Sequence, residues 1–355
     1  MSTEGDAGSA DGRHILIAGP PYRGYLGMIG DAFRACGLRV SALEWKHLRR
    51  NLAQEIGFYG SGRYRLRLAH KQDELNTVAI ESAMERLSPD IILVMKAAQL
   101  SPKTVKTCEA KGVKRILWAY DSAREYPLIT KTACDYDRVY TYEPDNVKML
   151  SELCDARYLP MGYDPRLYLP VGGRGSGRDV DISFVGALRD TPVRKETIRH
   201  VALEMPDRTV GVWTDTIHWY SHRRLNDRRF IMGRPNIRLS RRTIDHAEIN
   251  EIYNRSKVCL NVHHPQSVGA LNPRTFEILG SGGLLVTDRR MDGLDGFEDG
   301  TGYIFYSSLE DLTEKLRPIL ENDEARRTTA EKGHQAAFNG HTFEQRAKRM
   351  LGELE

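Results

Sequence analysis

Short apolar runs alternate along the chain with longer stretches in which apolar residues recur every three to four positions. In the first half the runs are HILIAG (14–19), LRVSALEW (38–45), DIILVMK (90–96), KRILWAY (114–120) and DRVYTY (137–142). In the second half they are VDISFVG (180–186), RTVGVW (208–213), KVCLNVH (257–263) and GYIFYS (302–307). Runs of this length, rich in β-branched and aromatic residues, read as strands, and their nearly unbroken apolar character fits strands covered on both faces. Helical spacing holds over 27–36, 73–87, 102–111 and 122–131, and again over 192–203, 246–256, 308–323 and the last fifty residues. Strands alternating with helices predict parallel sheets with helices on both sides. No short internal repeat is present.

Between the halves lies GYDPRLYLPVGGRGSGRD (162–179), aperiodic and rich in glycine, proline and arginine, which reads as a linker. The predicted fold class is α/β, with two Rossmann-like doubly wound domains facing across a cleft. Residues 1–12 read as a disordered tail, 13–161 as the first domain and 180–340 as the second. In such sheets ligands bind beyond the carboxyl ends of the strands.

Composition narrows this picture little. The 355 residues, 40% hydrophobic and 28% charged, suffice for two cores. A net charge of +4 is too mild for a general nucleic-acid binder, although it leaves local phosphate sites open. The basic, aromatic run HWYSHRRLNDRRF (218–230) is a candidate contact for a membrane surface, a nucleic acid or a phosphorylated acceptor; a solvated loop is the simpler reading. Cysteines 36, 108, 134, 154 and 259 are odd in number and lack CxxC spacing, so reduced thiols in a cytoplasmic protein are expected. No apolar run approaches the ~18 residues that span a bilayer, which predicts a soluble chain.

Candidate chemistry concentrates in LNPRTFEILGSGGLLVTD (271–288). Asn272 suits a helix N-cap and Pro273 the first helical position. Arg274 and Glu277 then neighbour each other at i and i+3. A helix start is a natural anion site; the arginine adds a donor for phosphate and the glutamate an acceptor for sugar hydroxyls. The alternative is a surface ion pair on an ordinary helix. Other strands deliver Gly186, His263, His264 and Asp288 to the same carboxyl edge. Two adjacent strand histidines point to opposite faces, and neither HxH nor HExxH occurs, so no metal site is expected. Trp213 and Thr214 end their strand, either near a nucleotide base or against the core.

In the first half, AGPPYRGYLGMIG (18–30) spaces its glycines as GxxGxxG, not GxGxxG, which argues against a nicotinamide dehydrogenase. Asp121 follows a strand and is a candidate general base for an acceptor hydroxyl. Ser122–Glu125 (SxxE) reads as a capping box, which would give that segment a structural task instead.

DVDISFVGALRDTPVRKETI, EINEIYNRSKVCLNVHH and LNPRTFEILGSGGLLVTD, together with DIILVMK, KRILWAYDSA, DYDRVYTYEPDNVKML and YLPMGYDPRLYLP, resemble the CgeB-like glycosyltransferases, near the group 1, family-4 enzymes. The likeness covers most of residues 85–350. It implies the GT-B fold, with an acceptor-binding first domain, a second domain that holds a nucleotide-diphosphate-sugar donor, and a helix at 341–355 returning towards the first domain. By position, Glu277 matches the glutamate that bonds the donor ribose. Arg274 and Arg194 are candidates for the diphosphate and for catalysis. Gly186 would permit close approach of the nucleotide, and His263, Asn272 and Trp213 would line the donor site. Tyr22, Arg23 and Tyr25 would face acceptor or donor phosphate, or else form a solvated loop. Where such enzymes often carry another glutamate, eight residues before Glu277, this chain has Gly269, so the sugar-binding mode is left open.

The resemblance thus implies metal-independent transfer, without a cofactor, to a small-molecule, glycan or other acceptor. A GT-B nucleotide-sugar epimerase and a non-catalytic nucleotide-sugar-binding protein are the alternatives.

Overall fold

The computed structural model describes residues 12–45, 62–171, 178–188, 191–214, 233–264, 269–289, 291, 297 and 299–354. The expected tail, most of the 46–70 loop, the glycine-rich centre of the expected linker and the basic run 218–230 lie outside the described residues. The chain divides into two compact units, Met1–Pro160 with Phe343–Glu355, and Met161–Thr342.

The first unit is built on β1 (His14–Gly19), β2 (Arg39–Glu44), β3 (Ile91–Met95), β4 (Lys114–Ala119), β5 (Arg138–Thr141) and β6 (Ala156–Tyr158). These form one wholly parallel sheet in the order β2-β1-β3-β4-β5-β6. Its helices are α1 (Tyr25–Ala35), α2 (Gly62–Leu87), α3 (Pro102–Lys111), α4 (Pro127–Thr132), α5 (Pro144–Leu150) and, from the far end of the chain, a helix at Phe343–Gly352.

The pleat divides the strand residues between two layers. Leu16, Ala18, Ile92, Val94 and Leu117 pack with Ile80 and Met84 of α2, Cys108 of α3 and Ile129 of α4. On another side, Phe343 meets the rings of Tyr25 and Trp118 edge-on, at 6.1 and 6.4 Å. Glu353 fixes the end of that helix by accepting from Tyr140 at 2.7 Å and pairing with Arg157 at 3.1 Å.

The second unit repeats the plan with β7 (Val180–Val185), β8 (Val210–Thr214), β9 (Ile237–Arg241), β10 (Ser256–Asn261), β11 (Leu285–Thr287) and β12 (Ile304–Phe305). The order is β12-β11-β10-β7-β8-β9, again all parallel. Its helices are α6 (Pro192–Glu204), α7 (His246–Arg255), α8 (Pro273–Gly280), α9 (Leu309–Glu321) and α10 (Asp323–Gly340); the returning helix Phe343–Gly352 is α11. Val258, Leu260 and Val262 pack with α6 and α9, whereas Cys259 packs with α7 and α8, as alternation along a strand requires.

Several local expectations change. The strands at 156–158 and 237–241 are additional to those read from the pattern; the first is too short for a periodicity and the second, IRLSR, is half polar. Part of the expected linker is core: Tyr163 and Tyr168 are 1% exposed and pack within the second unit. The helix expected at 122–131 covers only Pro127–Thr132. Ser122 is not its cap. Its hydroxyl donates to Glu143 at 2.8 Å, while its carbonyl closes a turn on the amides of Glu125 and Tyr126. No helix among the described residues is long and apolar enough to cross a membrane.

Candidate functional site

In the second sheet, β7 has β10 on one side and β8 on the other, so the winding reverses between β7 and β10. A crevice opens at the carboxyl ends of strands where that happens. The register pairs Leu260 with Phe184, and continuing it sets Val262 beside Gly186. Two arginines are tied to this edge by strand-end carbonyls. Arg194, in the first turn of α6, donates through Nε to Val262 O at 2.9 Å and through Nη1 to Ala187 O at 2.8 Å. Arg274, in the first turn of α8, donates through Nε to Val185 O at 3.0 Å. Carbonyl oxygens at strand ends are acceptors without a ladder partner, and a guanidinium is suited to gather several of them. Both charges are thereby fixed at the switch point.

Arg274 also donates to Glu277 Oε2 at 2.9 Å, so the pair predicted by spacing exists. It is not a surface pair: the side chains are 15% and 1% exposed. Asn272 caps α8 by accepting from the Thr275 amide at 3.2 Å. Its amide also exchanges two 3.1 Å hydrogen bonds with Asn261 at the end of β10, which locks the helix start onto that strand. Asn261 carries no motif; its only mark in the sequence is that it is an asparagine ending a buried apolar run.

His263 is 1% exposed. Its backbone amide donates to Asp288 Oδ1 at 3.0 Å and its ring Nδ1 meets the same oxygen at 2.7 Å. That network assigns the proton to Nδ1 and leaves Nε2 as an acceptor. Nε2 is buried and has no hydrogen-bond partner among the described residues. Burial, the largest influence, holds the imidazole below its ordinary range; Asp288 opposes this, and the charges of Arg289 and Arg194 add to it. Burial works against the charge of Asp288, but the hydrogen bonds and charge of His263 prevail and hold the carboxyl below its usual range.

Other expected residues take different places. Gly186 donates its amide to Trp213 O at 2.9 Å, and a Cβ there would meet only the ring of Phe184, at 3.2 Å. Trp213 lies back along its own strand. A Cβ on Gly211 would come within 2.5 Å of the indole, and the ring packs on the core shared with α7 and α8. The core reading of Trp213 therefore describes its position, away from the carboxyl edge where a base would sit.

Within the first unit, Tyr25 is 5% exposed, held between Tyr22 and Phe343, so it is a packing residue and not a surface contact. Tyr22 is 55% exposed, and Arg23 and Gly24 both have positive φ, at 50° and 69°. Asp121 lies 3.3 Å from Nζ of Lys96, a residue that no sequence motif singles out. Among the described residues no group of three or more His, Cys, Asp or Glu side chains is arranged to hold a metal ion.

Residues 194–352 match the family described as glycosyl transferase-like. Several solved structures share the fold over nearly the whole chain. Sucrose-phosphate synthase from Thermosynechococcus elongatus has a TM-score of 0.69 at 14% identity, over 96% of this chain and 98% of that one. An α,α-trehalose-phosphate synthase (UDP-forming) from Burkholderia xenovorans, in complex with glucose-6-phosphate, has a TM-score of 0.68 at 12% identity, over 97% and 100%. Anabaena HepE in complex with UDP-glucose has a TM-score of 0.61 at 11% identity, over 96% and 99%. No curated protein matches the chain in sequence. The fold is GT-B, and the glycosyl transferase-like match falls on residues 194–352; placement in the CgeB-like branch stays an expectation of the resemblance.

Proposed function

We propose that the protein transfers a sugar from a nucleotide-diphosphate-sugar donor, held by the second unit, to an acceptor held by the first. The observation that carries this reading is the pair of arginines, Arg194 and Arg274, anchored on strand-end carbonyls at the switch point beside the capped start of α8. The departing diphosphate gathers negative charge as the glycosidic bond to the donor breaks. Fixed guanidinium charges and a helix N-terminus stabilise that charge without reorganising. The complexes of HepE with UDP and UDP-glucose support a UDP-sugar as the first donor to try.

In this reading Arg194 and Arg274 serve the diphosphate and Asn272 orients the helix start. Glu277 sets Arg274, and any bond it makes to a ribose requires the buried carboxylate to become accessible on binding. Asp121 accepts from the acceptor hydroxyl. The chemistry assigned to these residues needs neither a metal nor a cofactor.

A calorimetric panel of UDP, GDP, ADP and their glucose conjugates tests the donor half. Saturable binding of one diphosphate, weakened by Arg194→Met, is expected. Absence of binding by every diphosphate at millimolar concentration refutes the proposal. Incubating the preferred donor with no acceptor and finding an epimer would point to the epimerase; binding with no turnover on any acceptor would point to a non-catalytic protein.

A further inference from the structure

The first sheet also has a switch point, where β1 has β2 on one side and β3 on the other. The two strands are pressed together there: a Cβ on Gly19 would lie 2.7 Å from Cβ of Met95. The next residue on β3's side is Lys96, which has φ 80° although it is not glycine. A long side chain in that conformation costs of order 1 kcal/mol or more, and such outliers gather at binding sites. The strain turns the lysine to the carboxyl edge. Its ammonium sits 3.3 Å from Asp121 and 4.1 Å from the centre of the Tyr126 ring. Lys96 and Asp121 keep 26% and 34% of their side-chain surface exposed. Tyr126 and Tyr22 are 41% and 55% exposed, the latter on the loop that leaves β1.

Two longer-range couplings extend the group. Lys96 acts electrostatically on Asp73 of α2, and the Tyr120 hydroxyl feels both Asp121 and the two exposed tyrosines. Three segments of the chain, around residues 22, 96 and 120–126, thus bring together an ammonium, a carboxylate and exposed aromatic rings. The Asp121 carboxylate neutralises the ammonium that it meets at 3.3 Å, which disfavours a phosphate or a carboxylate ligand. Paired donors and acceptors suit vicinal hydroxyls, and the tyrosine faces suit the apolar C–H face of a pyranose.

We infer that Lys96, Asp121, Tyr126 and Tyr22 form a binding site for an uncharged sugar ring at the carboxyl edge of the first sheet. The site stands on this geometry alone. That the bound sugar is the transferase acceptor rests on the function proposed above.

Saturation-transfer NMR tests it with the whole protein and four probes: glucose, N-acetylglucosamine, maltose and glucose 6-phosphate. At least one uncharged sugar should receive transfer to its ring protons at millimolar concentration, and bind better than the phosphate. Lys96→Gly removes the ammonium while relieving the positive φ, so the variant should fold at least as well as the parent. It should lose roughly tenfold or more in sugar affinity, the loss typical of a hydrogen bond to a charged group. Tyr126→Ala should lose a comparable amount, and affinity for UDP should be unchanged in both. If no uncharged sugar binds, or if both variants bind like the parent, the site does not exist. Sugar binding in a protein that ignores every nucleotide diphosphate would keep this site and overturn the donor proposal.

Discussion

Replacing Glu277 by alanine strikes the most buried charge at the second switch point. The carboxylate is 1% exposed and its partner Arg274 is 15% exposed. Deleting one member of a buried pair leaves the other ion desolvated without compensation, typically at a cost of 3–5 kcal/mol. Arg274 keeps some contact with water and a bond to Val185 O, so the lower end, about 3 kcal/mol, is expected here. For a unit of this size a loss of 1 kcal/mol lowers Tm by about 2–4 °C, so a fall of roughly 6–12 °C should follow. Glu277→Gln keeps the shape and an acceptor for Arg274 Nη1, so it should cost about 1–2 kcal/mol. The assay is urea unfolding, following a second-unit signal such as Trp213, for both Glu277 variants, Arg274→Met and the double variant Glu277→Ala/Arg274→Met. A coupling energy of about 1 kcal/mol or more between the two positions is expected. The reasoning fails if Glu277→Ala unfolds within about 0.5 kcal/mol of the parent, a change typical of a surface site. Donor affinity is better read on Glu277→Gln, because the alanine variant confounds binding with folding.

Four further outcomes follow from named contacts. Asn272→Ala should cost about 1 kcal/mol for the lost cap and about 1–3 more for the stranded Asn261 amide, measured by the same urea titration; Asn272→Asp should recover mainly the first part. Gly280→Ala drives a methyl into the ring of buried Tyr163 and should cost about 1–3 kcal/mol, much of it restored by Tyr163→Leu; equal stability of parent and single variant would contradict this packing. The lowered pKa of buried His263 means that the folded state binds fewer protons than the unfolded one below the ordinary value of 6.5. Stability should therefore decline as pH falls through and below 6.5, and His263→Gln should flatten that slope in chemical unfolding from pH 7 to 5; His14, lowered by burial and by Arg39, contributes a similar slope in the first unit. Arg194→Met should weaken diphosphate binding by roughly tenfold or more in calorimetry.

Strand–helix alternation was readable because parallel strands buried on both faces are almost wholly apolar; DIILVMK and KVCLNVH have little else they can become. The α8 segment was equally legible, since Asn272, Pro273 and the trailing glycines each have a local backbone reason for their place. What stayed hidden depends on partners distant in sequence. Nothing in GYDPRLYLP announces that Tyr163 and Tyr168 are core, because partners such as Gly280 for Tyr163 and His246 for Tyr168 lie more than 75 residues away. Ser122 looked like a cap until Glu143, 21 residues on, claimed its hydroxyl. Trp213 turned inward because Gly211, two positions earlier on the same face, leaves room for the indole. Lys96 is an ordinary lysine in sequence, and only its φ marks it.

The helix Phe343–Gly352 belongs to the first unit, although 182 residues of the second unit precede it in the chain. On the ribosome, the portion made earliest must therefore wait. Until residue 352 has emerged, the rings of Tyr25 and Trp118 lack the Phe343 edge that covers them in the finished molecule. The nascent first sheet is thus an apolar surface awaiting its lid for the whole time that the second sheet is being translated. At 5–20 residues per second, the usual pace of translation, that interval is about 10–40 s. A release of the chain just short of residue 343 would leave the second unit whole and the first one open.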